Sequence, residues 1–297
     1  MSSTNASNTT NTVFAQDTVK EIFSKVKDHS SIVKLSGQVP VSFAGNDYFT
    51  FSLDSEVAIV GEGSAKPAGY ATIAPVTMKP IKVVYQHRLS DEFLKTSDEK
   101  ALGMLAAFTD GFSKKIAKGL DIMAMHGLNP YDMTASTTIG TNHLDSAQNV
   151  VYSSTDGAEV ALTSAVSALG DYDATGYALS KTMGEYLGAL KENGVSQYPE
   201  FKLGGNPGNL AGHACDVNST VSAAVSGATS TDLAIVGDFQ NAFKWGFAEN
   251  IPMEVIQYGD PDGLGDLKKQ NQVVLRAEAY IGWAILDADA FARVTTA

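Results

Sequence analysis

Between Thr96 and Gly127 the sequence carries one unbroken helical pattern, and its length limits what the chain can fold into. Leu102, Leu105, Phe108, Phe112, Ile116, Leu120 and Met123 recur at intervals of three or four residues, the spacing that gathers side chains on one face of an α-helix. Thr96 and Glu99 fit a capping box, and Asp98 adds negative charge to the first turn. Lys114, Lys115 and Lys118 fall toward the C-terminal half, where the helix dipole favours cations, and Gly127 is a natural stop. About 30 residues at ~1.5 Å each span roughly 45 Å. A helix of that length outgrows a compact domain and predicts an elongated molecule. Its three lysines read as a solvated face rather than a DNA contact.

In front of the helix the pattern switches to period two. Phe49, Phe51 and Leu53 alternate with Tyr48, Thr50 and Ser52. Beyond a Gly/Pro-rich stretch, Ile81, Val83, Tyr85, His87 and Leu89 alternate with Lys82, Val84, Gln86 and Arg88. The pattern predicts two strands paired as one long antiparallel hairpin over 46–90. Its connection, VGEGSAKPAG at 60–69, is too long for a two-residue turn and reads as a loose tip. A long hairpin exposes strand edges, which proteins cover or pair with another chain. Upstream, Val19, Ile22, Phe23 and Val26 predict a short amphipathic helix, preceded by a Ser/Thr/Asn-rich stretch that reads as disordered without a partner. So little apolar surface cannot fold alone, and residues 1–45 read as an arm lying on something else.

The remainder predicts helices over 157–169 and 181–193, with GYALS (176–180) a buried strand between them and short strands after Pro199. QVVLRAEAYIGWAILDADAFARV, residues 272–294, reads as one long strand and then a turn. Together these elements predict an α+β fold. With 44% of its 297 residues hydrophobic and 18% charged, the chain can build one large core or two smaller ones. Lys+Arg of 21 against Asp+Glu of 33 gives a net charge of −12, which argues against a surface that grips nucleic acid throughout. One cysteine, Cys215, excludes an intrachain disulfide and a multi-cysteine zinc site, and reads as a small buried hydrophobe. MSSTNASNTTNT lacks the basic and apolar regions of a signal peptide, and no run of apolar residues is long enough to span a membrane; the chain reads as cytoplasmic when made.

No catalytic, metal or cofactor constellation emerges. The glycine loop fails as a phosphate cradle, because Lys66 is followed by Pro67 and a strand rather than by Ser/Thr and a helix, and Gly61 and Gly63 supply only half of a dinucleotide fingerprint. There is no G-x-S-x-G elbow and no H-E-x-x-H. The five histidines are scattered. His213 and Cys215 read as same-face neighbours of one strand, and Asp287 and Asp289 as residues solvating a turn.

The order of these parts resembles the major capsid proteins of tailed bacteriophages, with the Hong Kong 97 phage capsid fold, over nearly the whole chain. The signals are VGEGSAKP, then IKVVYQHRLSDEFL entering the long helix, YALSKTMGEYLGALKENG, AIVGDF and the closing NQVVLRAEAYIGWAILDADAFARV. The resemblance implies an N-terminal arm at 1–45 and an extended loop at 46–90. A spine helix with peripheral domain follows at 91–149, an axial domain at 150–255 and returning peripheral strands at 256–297. It implies a structural, non-enzymatic virion subunit, assembled in the host cytoplasm as pentamers and hexamers of an icosahedral shell around double-stranded DNA, which the inner face contacts non-specifically. Implied partners are a portal, a decoration protein and a scaffolding protein, the last a separate chain because this one opens almost at the arm. The implied contacts between subunits are the loop tip (Gly61, Glu62, Gly63, Lys66, Pro67) and the arm (Val19, Ile22, Phe23, Val26). Lys66, Asn271 and Glu278 fall where an isopeptide cross-link between subunits would form; their plainer reading is an exposed tip charge and two ordinary strand residues, since positions seven apart on a strand face opposite ways. Two alternatives stand beside this: an encapsulin nanocompartment shell of the same fold, and a soluble lyase or isomerase whose site assembles from distant residues.

Overall fold

The computed structural model describes residues 29–53, 55–92, 98–223, 231–248 and 253–296. The predicted arm helix with Val19, Ile22, Phe23 and Val26 lies outside them, as does Thr96 of the predicted capping box. In chain order the elements are α1 (Ser31–Leu35), β1 (Asn46–Leu53), β2 (Ala71–Met78), β3 (Ile81–Ser90), α2 (Asp98–His126), β4 (Gln148–Val151), α3 (Gly157–Ala168), β5 (Gly176–Leu179), α4 (Lys181–Ala189), β6 (Lys191–Glu192), β7 (Val195–Ser196), β8 (Asn209–Leu210), β9 (His213–Val217), β10 (Asp232–Gly237), β11 (Phe243–Phe247), β12 (Met253–Ile256), β13 (Gln272–Ile285) and β14 (Phe291–Thr295).

The long helix is present as predicted. Its 29 residues span roughly 43 Å at ~1.5 Å per residue. Phe112, Ile116, Leu120 and Met123 face a core shared with Ala277, Ala279, Ile281 and Trp283 of β13. Lys114, Lys115 and Lys118 are exposed, and Lys114 pairs with Asp110 one turn back at 2.7 Å. Gly127 ends the helix in the left-handed region (φ 65), and its N–H donates to the Met123 carbonyl at 3.0 Å, the usual αL stop.

Among the described residues the strands form two main sheets. One has the order β4-β14-β10-β5-β9-β8. Helices α3 and α4 cover it, through Leu162, Ala165, Met183 and Leu187 packed on Leu179, Ala234, Val236 and Val294. The other is organised by β13. Strand β3 runs antiparallel along one edge of β13, from Ile81 opposite Ile281 to Ser90 opposite Gln272, while β11 and β12 share the other edge. Helix α4 stops at Ala189, short of the predicted 193, because Asn193 and Gly194 both take positive φ (50 and 82) in the turn of hairpin β6–β7, the conformation a two-residue hairpin loop requires.

Three strand assignments differ from the sequence reading. β1 does not pair with β3 but with β2, from Asn46 opposite Met78 to Leu53 opposite Ala71. The hairpin is therefore 46–78, and β3 belongs to the β13 sheet. Pro75 disguises β2 as linker, yet a two-stranded ribbon tolerates a residue without an N–H. β11 and β12, placed by sequence with the axial part, join β13; β14, placed with the returning peripheral strands, sits between β4 and β10. Strand periodicity reports which faces are buried and is silent on which distant strand lies alongside.

Candidate assembly surfaces

The hairpin β1–β2 is anchored at its base and bare beyond it. At the base, Met78, Val41 and Ala284 are buried together, with Tyr48, Val76 and Leu286 against them. Glycines in the sheet below make this approach feasible. A Cβ on Gly246 would stand 2.0 Å from the Val39 carbonyl oxygen, and one on Gly282 3.2 Å from Met78 Cγ. Val39 N–H in turn donates to the Trp245 carbonyl at 2.8 Å. Beyond the base, Phe49, Phe51 and Leu53 sit opposite Pro75, Ile73 and Ala71, so one face of the ribbon is an apolar ladder. Phe49, Phe51, Leu53 and Ile73 are 71, 63, 72 and 63% exposed. At the tip, Ser64 N–H donates to the Gly61 carbonyl at 3.1 Å with Gly63 at φ 80, a type II turn whose third position requires glycine. Glu62, Lys66 and Pro67 are exposed beside it.

The root of the predicted arm is held by two buried carboxylates. Asp121 of α2 accepts from Ser30 Oγ (2.5 Å), Ser31 N (2.9 Å), Ile32 N (3.2 Å) and Thr220 Oγ1 (2.7 Å). Asp216 of β9 accepts from Ser31 Oγ (2.6 Å), Lys34 Nζ (2.6 Å) and Asn206 Nδ2 (2.8 Å). The five-residue helix α1 is thereby fixed to both α2 and β9. Burial drives the Asp121 carboxyl up to about 6, against the pull of these donors.

A second polar cluster joins α2 to β10 and β14, in the same sheet as β9. His126 Nδ1 lies 3.3 Å from both Asp145 Oδ1 and Asp232 Oδ2, and Nε2 is 3.1 Å from the Thr220 carbonyl. Both ring nitrogens face acceptors only, which calls for the imidazolium. Burial lowers the His126 pKa, but hydrogen bonds and charge from Asp145 and Asp232 outweigh it and raise it to about 9. His126, Asp145 and Asp232 are spaced as metal ligands would be. Arg293 Nη1, at 3.0 Å from Asp145 and 3.1 Å from Asp232, already supplies a cation there, and the cluster is a salt-bridge network.

The other sequence candidates are scattered. Asn271 is exposed at φ 53, just before β13. Glu278, in mid-strand, pairs with Lys82 of β3 at 2.8 Å. Lys66 stands at the hairpin tip, and no one subunit brings the three together. Cys215 is buried and His213 exposed on β9, and Asp287 accepts from Asp289 N–H in the turn before β14. Sequence reasoning missed the Asp121 and Asp216 anchors and the engaged Arg88 near the end of β3. The signal present for the latter was a lone Arg88 ending an apolar strand and an acidic, glycine-rich run, GDPDGLGD at 259–266.

The longest hairpin among the described residues thus leaves one apolar face bare. The chain belongs to the phage capsid family, whose model matches residues 11–296. Its structure is similar to one from Mycobacterium phage Ogopogo, at 31% identity over 91% of this chain and 92% of that one, with a TM-score of 0.79. It is also similar to one from Gordonia phage Cozz, at 24% identity over 91% and 87%, TM-score 0.73. A structure described as the capsid of an empty GTA particle matches at 16% identity over 91% and 90%, TM-score 0.63; the last two likenesses bear on the fold alone. A search of curated proteins gave no match. The protein is a structural virion component with the function of a major capsid protein, and the encapsulin reading is not favoured.

Proposed function

We propose that the subunit assembles into the pentamers and hexamers of an icosahedral head that encloses double-stranded DNA, built in the host cytoplasm on a separate scaffolding protein and around a portal, with a decoration protein as a further partner. The observation that carries this reading is the bare apolar ladder of hairpin β1–β2. Burying Phe49, Phe51, Leu53 and Ile73 on a neighbouring copy would stabilise the contact by about 1.5–3 kcal/mol per side chain. Gly61, Glu62, Gly63, Lys66 and Pro67 at the tip, and Val19, Ile22, Phe23 and Val26 of the arm, extend that contact. Contact without covalent bonding is our reading of Lys66, Asn271 and Glu278. Glu278 is engaged by Lys82, and seven residues of extended strand set it roughly 23 Å from Asn271.

The test is electron microscopy and sedimentation of the full chain, with scaffold supplied, beside the variant Phe49→Ser/Phe51→Ser/Ile73→Ser. Closed shells from the parent, and folded, unassembled subunits with unchanged circular dichroism from the variant, are expected. Shells from the variant at the parent's yield, or none from the parent, would refute it. A denaturing gel of mature particles should show monomer-sized bands; a ladder of multimers would restore the cross-link.

A further inference from the structure

The loop between β12 and β13, residues 257–271, has almost no ladder to hold it. It turns through Gly259, Gly263 and Gly265 at φ 84, 74 and 101, and its inward residue is Leu267, fully buried. Leu267 N–H donates to the Gly259 carbonyl and its carbonyl accepts from Gln272 N–H, both at 2.9 Å.

The centre of the loop is filled by a side chain from elsewhere, the guanidinium of Arg88 on β3, 11% exposed. Nε donates to Asp262 Oδ1 (3.0 Å) and Oδ2 (2.7 Å). Nη1 donates to Gln270 Oε1 (2.6 Å) and Gln272 Oε1 (3.0 Å). Nη2 donates to the Gly265 carbonyl (2.8 Å), to Asp260 Oδ1 (3.2 Å) and to Asp262 Oδ1. Carboxylates, side-chain amides and a main-chain carbonyl all turn oxygen inward, the donor set a loop assembles around a hard cation. The Arg88 fork takes the cation's place. One strand pleat away, Gln86 repeats the arrangement in a smaller form: Nε2 donates to the Pro261 carbonyl at 3.4 Å, and Oε1 accepts from Arg276.

We propose that Arg88 is a built-in structural cation: its planar fork folds the 257–271 loop in the free subunit and so positions the loop for shell assembly. The second half rests on the shell reading; the first does not. Lysine cannot substitute, because an ammonium is a point charge that cannot reach acceptors spread around a plane. The placement ties the loop to the hairpin. Strand β3 leaves the hairpin at Ile81, opposite Ile281, and carries Arg88 opposite Val274 at its far end. Both elements hang from one β3–β13 ladder.

Hydrogen exchange of the full-length subunit, read by mass spectrometry, tests this with Arg88→Ala and Arg88→Lys. In Arg88→Ala, protection over 259–272 should fall at least about tenfold, the equivalent of one charge-assisted hydrogen bond, while β11 and the Ile81–Tyr85 half of β3 keep theirs. Guanidinium chloride at low millimolar concentration should restore protection, and equal sodium chloride should not. Arg88→Lys should resemble Arg88→Ala. Should Arg88→Ala lose protection throughout, Asp260→Asn/Asp262→Asn keeps the arginine and is expected to loosen the loop without guanidinium rescue. Unchanged protection in these variants, rescue by sodium chloride, or full protection in Arg88→Lys overturns the proposal. Shell yield is the second readout: it should drop in Arg88→Ala and return with guanidinium, and an undiminished yield from a loosened loop overturns the positioning role. Failure of the parent to form shells counts against the shell reading instead and leaves the exchange result standing.

Discussion

Replacing Asp121 with asparagine should change the pH dependence of subunit stability in a direction fixed by the geometry. Asp121 has no exposed surface, and its two oxygens accept four hydrogen bonds from Ser30, Ser31, Ile32 and Thr220. Burial raises its pKa from 3.8 to about 6, the donors holding it from going further. Because the folded value lies above the unfolded one, the native state holds more protons between those two values, and stability falls as pH rises through that window. Worked from 3.8 and about 6, the loss between pH ~4.5 and ~7.5 is about 2 kcal/mol. The groups facing Asp121 do not titrate there, since Ser30, Ser31 and Thr220 are neutral. Asp216, reached through Ser31, is paired with Lys34.

Asparagine keeps one carbonyl oxygen and turns an NH₂ toward the other donors. Thr220 can rotate to accept from it; the Ser31 N–H cannot, and a buried orphan N–H costs about 1–3 kcal/mol. The variant should therefore be the less stable at acid pH, with the gap closing by about 2 kcal/mol toward neutrality. Urea denaturation of both full-length subunits across the pH range gives the difference directly, and subtraction cancels the other titrating groups. A gap that does not change with pH, or that widens as pH rises, would refute the reasoning.

Gly246→Ala should destabilise the subunit by about 1–3 kcal/mol, because its Cβ would stand 2.0 Å from a main-chain oxygen, that of Val39; thermal unfolding measures it, and exchange of the Val39 amide should rise first. His126, raised from 6.5 to about 9, contributes stability that is complete below pH 6.5 and is lost as pH rises through about 9, a change of about 3 kcal/mol; denaturation midpoints from pH ~6 to ~10 should fall accordingly, and His126→Gln should flatten the decline. Cys215 should resist a thiol reagent at pH ~8 until denaturant is added, because burial and then the charge of Asp216 push its thiol up to about 12.

What the sequence made legible is what repeats locally. Helix α2 was plain from an apolar residue every three or four positions, β5 from an apolar run after a glycine, and β13 from its length. The two-faced character of β1 followed from strict alternation, but the tip, read as a loose connection, holds a type II turn at Gly61–Ser64. Each of these signals sits within a window of a few turns or pleats. The partner of β3 did not, because β3 alternates equally well whether it faces β1 or β13. Its actual partner lies near the other end of the chain, at Gln272–Ile281. Pro75 compounded the error by making a real strand look like linker.

The polar groups that fix the subunit's parts to one another act over still longer spans. Ser30 and Asp121 are 91 residues apart, Arg88 and Asp262 174, and Ser31 and Asp216 185. No periodicity announces them, because a single charge in an apolar run looks the same whether it is solvated or buried against a distant partner. Their placement is nonetheless consistent. Asp121 and Asp216 hold helix α1, and Arg88 holds the loop at the far end of the ladder that begins at the hairpin. Apolar packing is tolerant of small shifts, whereas a buried carboxylate with four donors, or a guanidinium in a ring of oxygens, is satisfied in one arrangement only. On the proposed shell reading that difference matters: the bare apolar face of hairpin β1–β2 would seat on a neighbouring copy, while its base and helix α1 stay fixed by these contacts.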